Sequence, residues 1–129
     1  MTQPGPRRAA GLLDAFRFAF AGWGHALRTQ RNARIHVALS LAVVAIGLWV
    51  GLSRVRWALI LLAFGLVWAA ELFNTALEAI VDLASPQEYP LAKLAKDVGA
   101  AAVLATALAA AAVGLLILGP PVYHRLFGA

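Results

Sequence analysis

The stretch Glu71-Leu-Phe-Asn74-Thr75-Ala-Leu-Glu78-Ala-Ile-Val-Asp82 places three acids, an amide and a hydroxyl at intervals of three and four residues. A helix advances about 100° per residue. With Glu71 at zero, Asn74 falls at about −60°, Thr75 at about +40°, Glu78 at about −20° and Asp82 at about +20°. All five share one face, spread over about 16 Å of helix axis. The preceding run, Trp57 to Ala70, carries no charge. A carboxylate inside a membrane span costs about 2.5–3.5 kcal/mol near the bilayer centre. Two carboxylates a few turns apart also repel unless a cation or proton intervenes. Glu71 and Glu78 therefore need compensation: a divalent metal, the ammonium of Lys96, or protonation. Lys96 and Asp97 open the next apolar helix on the side of Asp82, within reach of Glu78 and short of the deeper Glu71.

Hydrolytic or transfer chemistry fits this pattern. A buried carboxylate can take the proton of an alcohol. A second carboxylate, with a metal and a lysine, can hold a polyphosphate, which needs positioning and neutralisation more than covalent help. The base lies deeper, the metal and lysine nearer water, as a lipid hydroxyl meeting a soluble phosphate donor requires. No G-x-x-x-x-G-K-[ST], H-E-x-x-H or G-x-S-x-G motif is present, so neither a phosphate loop nor a zinc hydrolase is supported. A small non-enzymatic proton- or cation-translocating membrane subunit is the rival class, since it too uses a membrane carboxylate. That class needs polar residues on both sides of the membrane. Here they cluster toward one. A packing or trafficking role does not account for four polar groups in line opposite Lys96 and Asp97.

The elements that must carry this stripe are legible in composition and periodicity. The chain has 129 residues, room for one domain, with 62% hydrophobic and 13% charged residues. Soluble domains average about 25% charged, so an integral membrane protein is expected. There are no cysteines, hence no disulfide and no thiolate metal site. The net charge of +5 reads as membrane orientation and contact with anionic lipid, not nucleic-acid binding. The first residues carry prolines, glycines and arginines before any long apolar run, so no cleavable signal peptide is expected.

Residues 1–9 read as a flexible tail. Over 10–29, Leu12, Leu13, Phe16, Phe20, Trp23 and Leu27 fall on one side and Asp14, Arg17, His25 and Arg28 on the other, with Phe18 out of pattern. This is an amphipathic helix suited to a membrane surface. Transmembrane helices are expected over 34–52, 57–83 and 92–118. Gly47-x-x-x-Gly51 is a weak helix-contact signal, because Gly51 could simply end its helix. Ser85-Pro86 through Pro90 breaks the chain after the stripe. Gly99, Ala102, Ala105 and Thr106 permit close packing, and Gly119-Pro120-Pro121 ends the last span. Arg7, Arg8, Arg17, Arg28, Arg31, Arg34, Lys93 and Lys96 lie on one side of the membrane, against Arg54, Arg56 and Arg125 on the other. The excess places the N-terminus and the 83–96 loop in the cytoplasm of a bacterial plasma membrane.

Glu71-x-x-Asn74-Thr75-Ala76-Leu77-Glu78-x-x-Val81-Asp82 resembles the signature of the small prokaryotic diacylglycerol kinase family. Ala95-Lys96-Asp97-x-x-Ala100-Ala101-Ala102-Val103-Leu104 resembles its second block, at fitting spacing. The resemblance covers roughly residues 12–118. Phe16-Arg17-Phe18-Ala19-Phe20-x-Gly22 and Arg31-Asn32-x-Arg34-Ile35-His36 look most like the Gram-positive branch, whose members prefer undecaprenol. The resemblance implies an all-α integral membrane lipid kinase using ATP and magnesium. It has an N-terminal surface helix and three transmembrane helices, assembled as a homotrimer with sites shared between subunits. Its product would feed phospholipid or cell-envelope lipid-carrier recycling. Carried over, Glu71 is the general base and binds the lipid with Asn74, and Glu78 is a magnesium ligand at the nucleotide. Lys96 and Asp97 contact the nucleotide, with the 86–89 loop near its adenine end. Arg17 contacts its phosphates or, with better grounds, anionic lipid headgroups.

One departure stands out. Family members usually carry Glu just before the Arg-Asn of the surface-helix junction, as a second metal ligand; this chain has Gln30. An amide oxygen still coordinates magnesium, without charge and more weakly. This implies weaker metal binding or help from Glu78, Asp82 or a shared water. His36, at the mouth of a span, reads as an interfacial hydrogen-bonding residue, and His25 and His124 as solvated. Trp23, Trp49, Trp57 and Trp68 read as packing residues or interface anchors.

Overall fold

A computed structural model describes residue 8 and residues 10–128. The tail expected over 1–9 lies outside the described residues, Arg8 aside. The described residues form four helices and no strand: α1 (Leu12–Thr29), α2 (Arg31–Val50), α3 (Arg54–Ala84) and α4 (Pro90–Phe127). The last three are each long and apolar enough to cross a membrane. The protein is an all-helical membrane protein.

α1 begins without a side-chain cap and ends at Gln30, whose extended backbone (φ −104°, ψ 116°) turns the chain straight into α2. Its apolar side is not used within the chain: Leu12, Leu13, Phe16 and Phe20 are exposed. That is the surface a bilayer interface would cover. Leu27 is half-buried, and Trp23, though partly exposed, makes a contact within the chain. Its ring lies 4.5 Å from that of Trp68, fastening α1 to α3.

The α2–α3 hairpin turns at Gly51, whose positive φ of 74° a side chain would strain. Gly47 has a different task. A Cβ there would stand 2.7 Å from the indole of Trp57, so the glycine lets the ring lie across α2. Both readings of Gly47-x-x-x-Gly51 are therefore realised, one at each glycine. Ser53 caps α3 by accepting from the Arg56 N–H at 3.4 Å.

α3 and α4 form the most extensive pair. Asp82 meets Lys96 and Asn74 meets Gly99, the register of an antiparallel hairpin closed at Ser85–Tyr89. At Gly99 the side chains of Asn74 and Leu77 pack directly against the α4 backbone. A Cβ added there would collide with the Asn74 side-chain oxygen and come within 2.8 Å of Leu77.

α4 corrects one expectation. It does not end at Gly119 but continues through Pro120 and Pro121 to Phe127, where Gly128 caps it. A proline ring already has a helical φ, so what it loses is the bond to the carbonyl four residues back. At 38 residues α4 is about 57 Å long, far beyond the ~30 Å hydrocarbon core, so its last turns leave the bilayer and water can take the freed carbonyls. The other helix ends fall within three residues of expectation: α2 starts and stops earlier than 34–52, and α3 starts earlier than 57.

Candidate active site

The polar residues of α3 converge with the junction between α1 and α2. Gln30 Nε2 donates to Glu78 Oε2 at 3.0 Å, and Asn74 Nδ2 donates to Glu78 Oε1 at 3.1 Å. Each carboxylate oxygen of Glu78 is thus held by one amide. The Asn74 bond is local, one helical turn. The Gln30 bond is tertiary and exists because α1 ends at Gln30 while α1 lies on α3 through Trp23 and Trp68.

Asn74 is buried, and its Oδ1 has no hydrogen-bond partner. Its Nδ2 is committed to Glu78, which turns the oxygen toward the bare backbone of Gly99. Glu71, one turn deeper than Asn74, is 1% exposed, and its Oε2 also has no hydrogen-bond partner. The nearest basic atom is Nε2 of His36 on α2, at 3.7 Å. Thr75 lies on the acidic face, but its hydroxyl donates to the Glu71 backbone carbonyl at 2.9 Å.

The α4 partners differ from expectation. Lys96 Nζ pairs with Asp82 Oδ1 at 2.5 Å, not with Glu78. The register explains this, since the turn at 85–89 sets Lys96 opposite Asp82. Asp97 pairs with Lys93 at 2.6 Å on its own helix and stays exposed. Glu78 is hydrogen-bonded by the two neutral amides, with Lys96 near enough to interact with its charge but paired directly with Asp82. Lys93, Lys96, Asp97 and Asp82 line a polar cleft of about 660 Å³ closed by the Ser85–Pro90 turn. That volume suits a small-molecule ligand. Arg17 is exposed on α1 and makes no ion pair among the described residues.

A second cavity, of about 520 Å³, runs between α2, α3 and α4. His36 and Ser40 are its polar lining, and from there it passes over Val43, Phe64, Ala111 and Leu118. It is an apolar groove with its polar end beside Glu71. Periodicity did not mark His36 for this place; the only signal was a histidine at the entrance of a span.

A magnesium ion is implied by the family resemblance, and the donor set allows a test of fit. Glu78 brings one carboxylate, which Gln30 and Asn74 meet through their amide N–H groups, with the Asn74 oxygen turned toward Gly99. No cluster of three or more His, Asp or Glu side chains converges among the described residues. Magnesium binds proteins through one or two carboxylates and completes its shell with water and substrate phosphate. The residues fit a magnesium that arrives with a nucleotide and do not form a cage that would hold one alone.

The sequence pattern of the prokaryotic diacylglycerol kinase family matches residues 17–118. A diacylglycerol kinase of Synechocystis sp. is 46% identical over 114 residues, covering 88% of this chain and 65% of that protein. This chain therefore spans just under two thirds of that relative's length. The undecaprenol kinase of Bacillus subtilis is 43% identical over 109 residues, covering 84% of this chain and 89% of that protein. A diacylglycerol kinase of Pseudomonas aeruginosa is 35% identical over 91 residues, 70% of this chain and 74% of that protein.

Proposed function

The chain belongs to the prokaryotic diacylglycerol kinase family, and from that premise we propose that it transfers the γ-phosphoryl group of ATP to the terminal hydroxyl of a membrane lipid alcohol. The observation that carries this reading is the placement of Glu71. It is a buried carboxylate beside His36, which lines an apolar groove, and on the same helix as Asp82, which lines the polar cleft that holds Lys96. The groove suits a hydrocarbon chain and the cleft a nucleotide.

In this reading the lipid hydroxyl gives its proton to Glu71, and its oxygen bonds to the γ-phosphorus as the bond to the ADP oxygen breaks. Asn74 holds Glu78 in line beside the reacting groups. Glu78 and Gln30 would hold magnesium, which would supply charge neutralisation at the phosphate oxygens. Lys96 and Asp97 contact the nucleotide from the cleft, next to the 86–89 turn. Arg17 lies at the membrane surface among anionic headgroups. The excess of Lys and Arg orients the N-terminus and cleft toward the cytoplasm of a bacterial plasma membrane. The exposed apolar flanks of α2–α4 leave room for a homotrimer. Undecaprenol is favoured as substrate because the Phe16–Gly22 and Arg31–His36 segments resemble the Gram-positive branch, with diacylglycerol second. The translocating alternative is disfavoured by the groove itself, which is apolar beyond His36 and Ser40 and offers no polar route onward.

The test is direct. Membranes containing the chain are incubated with γ-labelled ATP and either undecaprenol or diacylglycerol, and the lipid extract is counted. Label in the undecaprenol product, absent without magnesium, is the expected result. Label in neither lipid, with ion flux in proteoliposomes lacking ATP, would reverse the reading.

A further inference from the structure

We propose that His36 is a positioning residue for Glu71, holding one carboxylate oxygen so that the other faces the arriving hydroxyl; this rests on the lipid-kinase reading above. Four observations carry it. Glu71 Oε2 is buried and has no hydrogen-bond partner. A buried carboxylate oxygen left in that state is costly and needs an explanation. His36 Nε2 stands 3.7 Å from that same oxygen, outside bonding distance by a few tenths of an ångström. The imidazole is itself constrained, edge-on to Trp68 at 6.3 Å between ring centres, and Trp68 packs at a tilt against Trp23 at 4.5 Å. Finally, His36 lines the polar end of the apolar groove, whereas Glu71 does not.

A lipid alcohol lying in the groove therefore meets the imidazole first and the carboxylate behind it. With a proton on Nε2, His36 needs only a small ring rotation to donate to Oε2. That bond commits Oε2 and fixes the carboxylate plane, leaving the other oxygen to accept the hydroxyl proton. The proton of His36 stays on Nε2 throughout; the proton that moves is the alcohol's, and it ends on Glu71. A base oriented by a third group is the usual requirement for directed proton transfer.

The test compares His36→Leu, which fills the space without a donor, with His36→Gln, whose amide N–H can still reach Glu71. The expected result is a fall in kcat of about 100-fold for His36→Leu, the scale of a misplaced reacting group. KM for ATP should stay unchanged, and His36→Gln should recover a substantial part of kcat. Wild-type kcat in His36→Leu, or equal losses in both variants, would overturn the role. A second measurement needs no activity. The 15N resonance of His36 Nε2, assigned by its absence in His36→Gln, should move to the unbonded position in Glu71→Leu. An unmoved resonance would show that the two groups are not bonded. If the wild-type chain phosphorylates no lipid alcohol, the kinase reading fails by itself, and the nitrogen resonance still decides whether His36 holds Glu71.

Discussion

Gln30 and Glu78 are 48 residues apart in sequence and 3.0 Å apart in space, amide nitrogen to carboxylate oxygen. This bond ties the surface helix to the acidic stripe of α3. It also puts a neutral group where a second carboxylate would share a cation with Glu78. Gln30→Glu should therefore lower the magnesium concentration needed for half-maximal lipid phosphorylation by about tenfold, since a charged oxygen binds a hard cation more tightly than an amide. Without magnesium the same variant should melt at a lower temperature, because two carboxylates then face each other. A magnesium titration that coincides with that of the parent would remove Gln30 from the metal site.

Glu71 separates stability from activity. Glu71→Gln keeps the shape of the side chain and removes its charge from the membrane. Lipid phosphorylation should fall by about 10²–10⁴-fold, the usual contribution of a positioned base. Thermal stability in detergent should stay level or rise, because an uncompensated carboxylate in a span is destabilising. Retained activity with both undecaprenol and diacylglycerol would show that another group takes the proton.

Gly99 is the packing point on which the site depends. Gly99→Ala should destabilise the protein by about 1–3 kcal/mol, the range for overpacking a tight contact. The displaced Asn74 would lose its bond to Glu78, so activity should fall as well. Gly65→Ala is the control: a Cβ there meets nothing within 4 Å. It should be neutral or slightly stabilising, as expected for alanine in place of a helical glycine. Equal melting temperatures for the two variants would contradict the close approach of α3 and α4.

The Lys96–Asp82 pair stands at the exposed mouth of the cleft. Exposed ion pairs contribute little to folding, so Lys96→Met should leave the melting temperature unchanged. If the cleft takes the nucleotide, KM for ATP should rise by about tenfold or more, the loss of one charge-assisted contact. Asp82→Asn frees the ammonium and should have a smaller effect on KM. A Lys96→Met variant with unchanged KM for ATP would place the nucleotide elsewhere.

Periodicity alone was enough to set Glu71, Asn74, Glu78 and Asp82 on one helical face, because that face depends only on the 3.6-residue turn. Apolar run lengths likewise sufficed for three spanning helices, since the bilayer thickness sets the length required. The small residue at Gly99 announced close packing without naming its partner. Tertiary structure decided what each polar group meets. The 85–89 turn fixed the α3–α4 register, which gave Lys96 to Asp82 instead of Glu78. The packing of Trp23 against Trp68 brought Gln30 to Glu78 across the fold. The α2–α3 hairpin, closed over Gly47, carried His36 to Glu71. Helix ends also escaped the sequence pattern where local propensity yielded to context, as at Pro120-Pro121, where a helix leaving the bilayer can give its unpaired carbonyls to water. Local geometry follows from the order of residues, but a contact between distant helices depends on how the whole bundle packs.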